Sequence, residues 1–226
     1  MTLAAALIRF CLFCSCLIPF SIKGNIAIFS PPEGWNEAIS PSSKVKASYI
    51  LKTKNNFSPS INFTSETTST SPKEYLSSLE KLYTNHTDYR FRTLGTLNTK
   101  SGLAHLTSLD MTTPAGKARI LQSIFFQDGT AYILTAAIPL ESFGTHQKEI
   151  FQSFCSLTFV NTLEEYIQNS SQKELFLQKL NEDSSSNDIS SLRQFIAKQF
   201  PKEGLHWQSL AIEELAKKVT QNSKGK

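Results

Sequence analysis

Cysteine is almost missing from the part of this chain that has the composition of a folded protein. Of four cysteines in 226 residues, Cys11, Cys14 and Cys16 lie in an apolar leader and only Cys155 follows it. A disulfide framework is therefore excluded, and the fold must rest on its core. The Cys-x-x-Cys-x-Cys spacing of the leader looks like a metal or redox motif. Thiolate ligands need a folded polar shell, however, and these thiols sit among apolar neighbours. Cys155, next to Phe154 on an apolar helical pattern, reads as a small buried hydrophobe. Histidine is also scarce. His86, His105, His146 and His206 fall in separate elements, none at metal-ligand spacing with another, and each reads as a surface or half-buried polar residue. Dense Lys/Arg blocks are absent as well. Residues 24–162 carry twelve basic and ten acidic side chains, and 163–226 carry nine of each. Without a basic footprint, nucleic-acid binding is disfavoured.

Catalytic signatures are missing too. There is no His-Glu-x-x-His and no Gly-x-Ser-x-Gly. Ala115-Gly-Lys117 lacks the upstream glycine of a phosphate loop, since Met111 stands there. Ser-x-x-Lys occurs at Ser43/Lys46, Ser78/Lys81 and Ser170/Lys173, but the Lys-Thr-Gly and Ser-Asp-Asn partners of such a site are absent. The expectation is a protein that is not an enzyme and needs neither cofactor nor metal. An enzymatic alternative requires polar residues from distant segments, such as Asp110, His105 and Tyr132, to converge in a pocket.

What is present begins with the leader. Arg9, an apolar run from Phe10 to Phe20 and then small polar residues read as an export signal, residues 1–24. The run falls short of the about 20 apolar residues that a bilayer core of roughly 30 Å requires. A retained anchor is the alternative. Phe13-Cys-Ser-Cys16 loosely resembles a bacterial lipobox, which makes Cys16 the candidate for lipid attachment, with Phe13 a departure at the usual Leu position. Asn56, Asn62, Asn85 and Asn169 head Asn-x-Ser/Thr triplets. These would be glycan acceptors in a secreted eukaryotic protein, and the bacterial reading is preferred.

Beyond the leader, "IAIFSPPEGW" (26–35) reads as a strand ended by prolines, with Gly34 permitting the turn and Trp35 returning under a sheet. Pro32, Gly34 and Trp35 are thus structural residues. Val45–Leu51 and Ser60–Thr67 read as strands. Ser71-Pro-Lys-Glu74 supplies a capping box and a proline at the first helical position, so a helix is expected over 72–86. From 88 to 138 the period changes to two, giving strands near 89–98, 103–112, 118–127 and 130–138. Asp128-Gly129 is the clearest hairpin signal. A second helix is expected over 145–156. Past Asn161 come three helices: one opened by a Thr162–Glu165 capping box and running to about Leu180, one over 189–200, and one from Leu205 to Val219.

The order of these elements, with "SPPEGW" and "AYILTAAIP", resembles the PsbP-like superfamily. That group includes the extrinsic subunit of photosystem II, the Ran-release factor of nuclear import and DcrB-type bacterial envelope proteins. The resemblance covers about 26–160. It implies an α+β fold in which an antiparallel sheet lies between helices, an α/β/α sandwich used to bind proteins. Three domains follow: signal peptide 1–24, sandwich 25–160 and helical extension 161–226. The resulting expectation is an exported, non-catalytic binding or assembly factor of the bacterial envelope, periplasmic or envelope-associated. Its protein partner is unidentified, and its membrane association runs only through a lipid anchor or an uncleaved leader. A chaperone for apolar client helices is the alternative. The partner would meet a sheet edge or the C-terminal helices. There, Phe200, Trp207 and Leu210 form either an apolar grip or simply the cover of a sheet face or the core of a small bundle.

Overall fold

The computed structural model describes residues 26–40, 42–54, 57–182 and 188–224, with 219–224 known through the backbone alone. The leader, including Cys16, lies outside the described residues. In chain order the elements are β1 (Ile26–Ile28), β2 (Asn36–Glu37), β3 (Val45–Ile50), β4 (Ser60–Thr67), α1 (Pro72–Thr84), β5 (Arg90–Thr99), β6 (Gly102–Thr113), β7 (Gly116–Gln127), β8 (Thr130–Pro139), α2 (Phe143–Cys155), β9 (Thr158–Val160), α3 (Ser170–Asn181), α4 (Ile189–Gln199) and α5 (Leu205–Lys224). Seven strands make one antiparallel sheet in the order β2-β3-β4-β8-β7-β6-β5, while β1 and β9 pair with each other apart from it. This is the expected α+β fold, with helices on both faces of the sheet.

Local chemistry explains the framework. Asp128 and Gly129 both take positive φ, 47° and 70°, in the two-residue turn joining β7 to β8. Only Gly, Asn and Asp tolerate that geometry readily, and its twist matches the strands it links. At the start of α1, Ser71 Oγ accepts from the Glu74 N–H at 3.3 Å, and the Ser71 N–H donates to Glu74 Oε2 at 2.9 Å. The expected capping box is therefore closed on both sides. From α1, Tyr75, Leu76 and Leu79 pack on Ile124, Phe126, Ala131 and Ile133 of one sheet face.

The opposite face carries the larger core. Tyr49, Ile61, Phe63, Leu121, Phe125, Leu134, Ala136 and Ile138 are buried there under Ile150 and Phe154 of α2. A single helix cannot cover seven strands, and the β1–β9 ribbon covers the rest. Alternation along the ribbon sends Ala27, Phe29 and Phe159 down into this core, while Ile26, Ile28 and Val160 point away. On that outer side α3, α4 and α5 close over the ribbon with Phe176, Leu192, Ile196, Phe200, Trp207 and Leu215. Trp35 joins the larger core at 3 % exposure, and its backbone N–H donates to the Pro32 carbonyl at 3.3 Å across a turn in which Gly34 holds φ at 79°.

Three expectations are corrected. The helix predicted from Thr162 does not start there: Thr162 makes no side-chain cap bond, and residues 163–166 form one 3-10 turn. The Glu165 carboxylate instead accepts from the Asn161 N–H at 2.9 Å, and Asn169 caps α3 by accepting from the Gln172 N–H at 3.0 Å. The strand β9 was not expected at all, because three residues are too few to show a period. Finally, His206, expected at or near the surface, is 3 % exposed. It lies against the rings of Phe29 (4.6 Å), Phe63 (5.7 Å) and Tyr49 (6.5 Å), and its Nδ1 accepts from the Phe29 N–H at 3.3 Å.

Burial lowers the His206 pKa to about 3, because a charged imidazole loses its hydration there. The unfolded chain, titrating near about 6.5, takes up the proton first as pH falls. Stability from this group is therefore intact above about pH 6.5 and falls by about 1.4 kcal/mol per pH unit below it. Urea midpoints measured from about pH 7 to pH 4.5 are expected to drop more steeply in the wild type than in His206→Phe.

Candidate functional site

The sheet has two edges, and they are treated differently. At the β2 edge only two residues pair with β3, and the Ser209 Oγ of α5 donates to Glu37 Oε1 at 3.0 Å. At the other edge β5 runs for ten residues with β6 as its one strand neighbour among the described residues. The β5–β6 hairpin closes on Thr99 and Gly102 around a two-residue turn. A closing pair of that kind is hydrogen-bonded inward, so alternation turns the N–H and C=O groups of Asn98 and Thr96 outward. Thr93, Leu94, Gly95, Thr96 and Asn98 are exposed. The edge carries two of the features that discourage self-pairing: a register shift between Thr93 and Gly95, with Gly95 at φ 108°, and the basic Arg90 and Arg92. No acidic side chain lies on β5.

Beside this edge, α2 presents Gly144, Lys148, Phe151 and Cys155, spaced at 4, 3 and 4 residues so that they share one helical face. The Lys100 N–H at the β5–β6 turn donates to the Cys155 carbonyl at 3.1 Å and fixes that end of α2 to the edge. The result is an open cleft of about 700 Å³ with Phe151 and Cys155 in its wall and Lys100 and Lys148 on its rim. Cys155 was expected to be buried; it is only half-buried, because it forms part of this wall.

Near the other end of α2 lies a cluster of charges on the same face. Arg119 donates to Asp110 through Nε at 2.6 Å and through a terminal nitrogen at 2.8 Å, while Arg92 donates to the same carboxylate at 2.8 Å and to Ser108 Oγ at 3.3 Å. The Arg119 guanidinium also stacks 4.5 Å over the Phe143 ring. The Arg119 hydrogen bonds, helped by its charge and those of Arg92 and Arg90, hold the Asp110 carboxyl below the usual carboxylate range. One carboxylate shared by two guanidiniums leaves the cluster with surplus positive charge.

The residues singled out from sequence fall as follows. Phe200 and Trp207 are fully buried in the helical layer, Leu210 packs partly buried against it, and the Trp207 indole N–H donates to the Leu163 carbonyl at 2.9 Å. They fill a core and present no apolar grip at the surface. Asp110 and Tyr132 face α2, whereas His105 points to the other side of the sheet, where its ring meets Phe126 at 5.8 Å. The three do not converge. Sequence reasoning missed the cleft and the Arg92–Asp110–Arg119 cluster, whose members come from distant segments. The only available signal was a strand of ten residues with two arginines and no acid. Among the described residues no three His, Cys, Asp or Glu side chains gather to hold a metal, and no helix is long and apolar enough to cross a membrane.

Asp110→Asn is expected to lower stability at neutral pH by about 1 kcal/mol. Because the folded pKa is depressed, the wild-type advantage is complete above about pH 4 and disappears as pH falls through the folded value. Urea titrations of both proteins from neutral to acid pH check whether the two curves converge.

No family model matches the chain, and no curated protein matches its sequence. Solved structures with a similar fold include LpqN of Mycobacterium tuberculosis, described as involved in cell envelope biogenesis, at 13% identity and a TM-score of 0.48 over 61% of this chain and 86% of that one. The cyanobacterial PsbP of Synechocystis sp. PCC 6803 is similar at 8% identity and a TM-score of 0.44, over 59% and 86% of the two chains. The Ran-binding protein Mog1p of Saccharomyces cerevisiae is similar at 14% identity and a TM-score of 0.38, over 57% and 81%. The likeness is one of fold alone.

Proposed function

We propose that this chain is an exported, non-catalytic binding or assembly protein of the bacterial envelope, and that it engages a protein partner by strand addition at β5. The leader supports export: Arg9 precedes an apolar run that is then relieved by small polar residues. The binding mode rests on one observation, the outward backbone of Thr96 and Asn98 on a ten-residue strand that has one neighbour among the described residues. An added strand gains main-chain hydrogen bonds of about 0.5–1.5 kcal/mol net each, and side-chain pockets beside the edge supply selectivity. A non-catalytic role fits the separation of Asp110 and Tyr132 from His105 on opposite sheet faces.

Thr96→Pro tests the mode directly. It removes an N–H that points away from β6, so the existing ladder is kept and the fold is expected to lose no more than about 1 kcal/mol. A photo-crosslinker at Asn98 in cells is expected to capture a partner that the same group at Arg193, on α4, does not. Adding Thr96→Pro is expected to abolish that capture, while Thr96→Val retains it. Equal capture with and without the proline would refute strand addition.

A further inference from the structure

The open edge and the α2 cleft meet at Lys100, which lies in the β5–β6 turn and lines the cleft. Gly144 to Cys155 spans roughly 17 Å along a helix, and Arg92 to Thr99 spans roughly 23 Å along a strand. α2 starts over β7 and crosses the sheet, so that its C-terminal end meets β5 at the β5–β6 turn. Arg119 of the sheet stacks on Phe143 at the start of α2, and Lys100 hydrogen-bonds Cys155 at its end. A strand added to β5 would therefore direct alternate side chains toward the α2 face carrying Gly144, Lys148, Phe151 and Cys155. Phe151 of α2 and Leu97 of β5, which pack partly exposed against the same core, supply the apolar surface between them. Its two ends are basic. Arg90 and Arg92 stand at one end, where Asp110 is already shared by Arg92 and Arg119 and the buried Arg92 Nε has no partner. Lys100 and Lys148 stand at the other, with no acidic residue among those lining the cleft. Glu149, the nearest acid on α2, is turned to His146 at 2.6 Å.

We infer that the groove between β5 and α2 receives an extended segment of a partner protein that has apolar side chains in its middle and acidic side chains at both ends. The inference rests on strand addition at β5 and adds the chemistry of the partner. Apolar side chains of the incoming strand cover Phe151 and Leu97, and its carboxylates meet guanidiniums at one end and ammonium groups at the other. The charge supplies steering and selects against basic segments, while the main-chain ladder supplies most of the affinity. Neither of the other surfaces considered from sequence has this complementarity. The rings of Phe200 and Trp207 are buried, and the β2 edge is only two residues long and carries Glu37, an acid.

The test uses a display library of random twelve-residue peptides, selected against the full chain and in parallel against Thr96→Pro and the double variant Lys100→Glu/Lys148→Glu. Both lysines are exposed, so the double variant is expected to fold as the wild type does. The wild type is expected to enrich peptides with alternating apolar residues flanked by Asp or Glu. Their binding is expected to weaken about tenfold on the double variant and to be lost on Thr96→Pro. A bound peptide is also expected to slow alkylation of Cys155, read by peptide mass, which places it in the groove. Enriched peptides without acidic excess, or unaffected by Lys100→Glu/Lys148→Glu, would overturn the charge assignment and leave strand addition standing. Acidic peptides that bind Thr96→Pro as tightly as wild type would overturn strand addition itself. No enrichment above the uncoated surface would overturn both.

Discussion

Everything on one side of the sheet depends on the β1–β9 ribbon. It is only three residues wide on each strand, yet its alternation serves two cores at once. Ala27, Phe29 and Phe159 seal the sheet face that α2 leaves bare, and Ile26, Ile28 and Val160 form the floor on which α3, α4 and α5 pack. A strand can do this because successive side chains point to opposite faces. The C-terminal helices are therefore a third layer whose core begins at Ile28, rather than an appendage beginning at residue 161. His206 fastens that layer to the ribbon by accepting the Phe29 N–H, which β9 leaves unpaired. Its neutral ring fits between Phe29 and Phe63 only while it stays uncharged.

The same arrangement decides which surfaces remain open. By docking over β1, the C-terminal layer brings α5 to β2, where Ser209 donates to Glu37 beside a strand only two residues long. At β5, α1 packs Tyr83 on Phe91 of one face at 5.6 Å and α2 meets the β5–β6 turn, but no further strand pairs with it among the described residues. The long edge is left with outward backbone groups, a bulge at Gly95 and a basic flank. These features discourage unselective pairing while still admitting a strand of matching charge. The cleft along α2 follows from the same geometry: α2 crosses the sheet from Arg119 on β7 to Lys100, and its C-terminal end meets β5 there.

Much of this was legible in the sequence where the signal is local. Ser60–Thr67 alternates and is β4 over those same residues; Asp128-Gly129 is a hairpin turn; Ser71 and Glu74 close their capping box. Legibility fails where the deciding partner is distant or the element is short. Thr162-Leu-Glu-Glu165 has the pattern of a capping box, but Asn161 competes for the same carboxylate and Asn169 offers a better cap. Nothing near His206 in the chain announces that Phe29, 177 positions away, will supply its hydrogen bond. Phe200 and Trp207 admitted a surface grip, with a sheet cover or bundle core the preferred reading. The Trp207 N–H decides it by finding the Leu163 carbonyl in the interior. Lys100, Lys148 and Phe151 carry no motif and become a site only through the crossing of α2 and β5.

The central claim is that β5 is an open edge made to receive a partner strand, and backbone hydrogen exchange measures this residue by residue. In the isolated chain, the amides of Leu97 and Thr99, which face β6, are expected to be protected, while those of Thr96 and Asn98 exchange freely. Partner binding is expected to slow Thr96 and Asn98 and to leave Leu97 and Thr99 unchanged. Protection of Thr96 and Asn98 in the isolated chain would contradict the account, since the edge would then already be occupied.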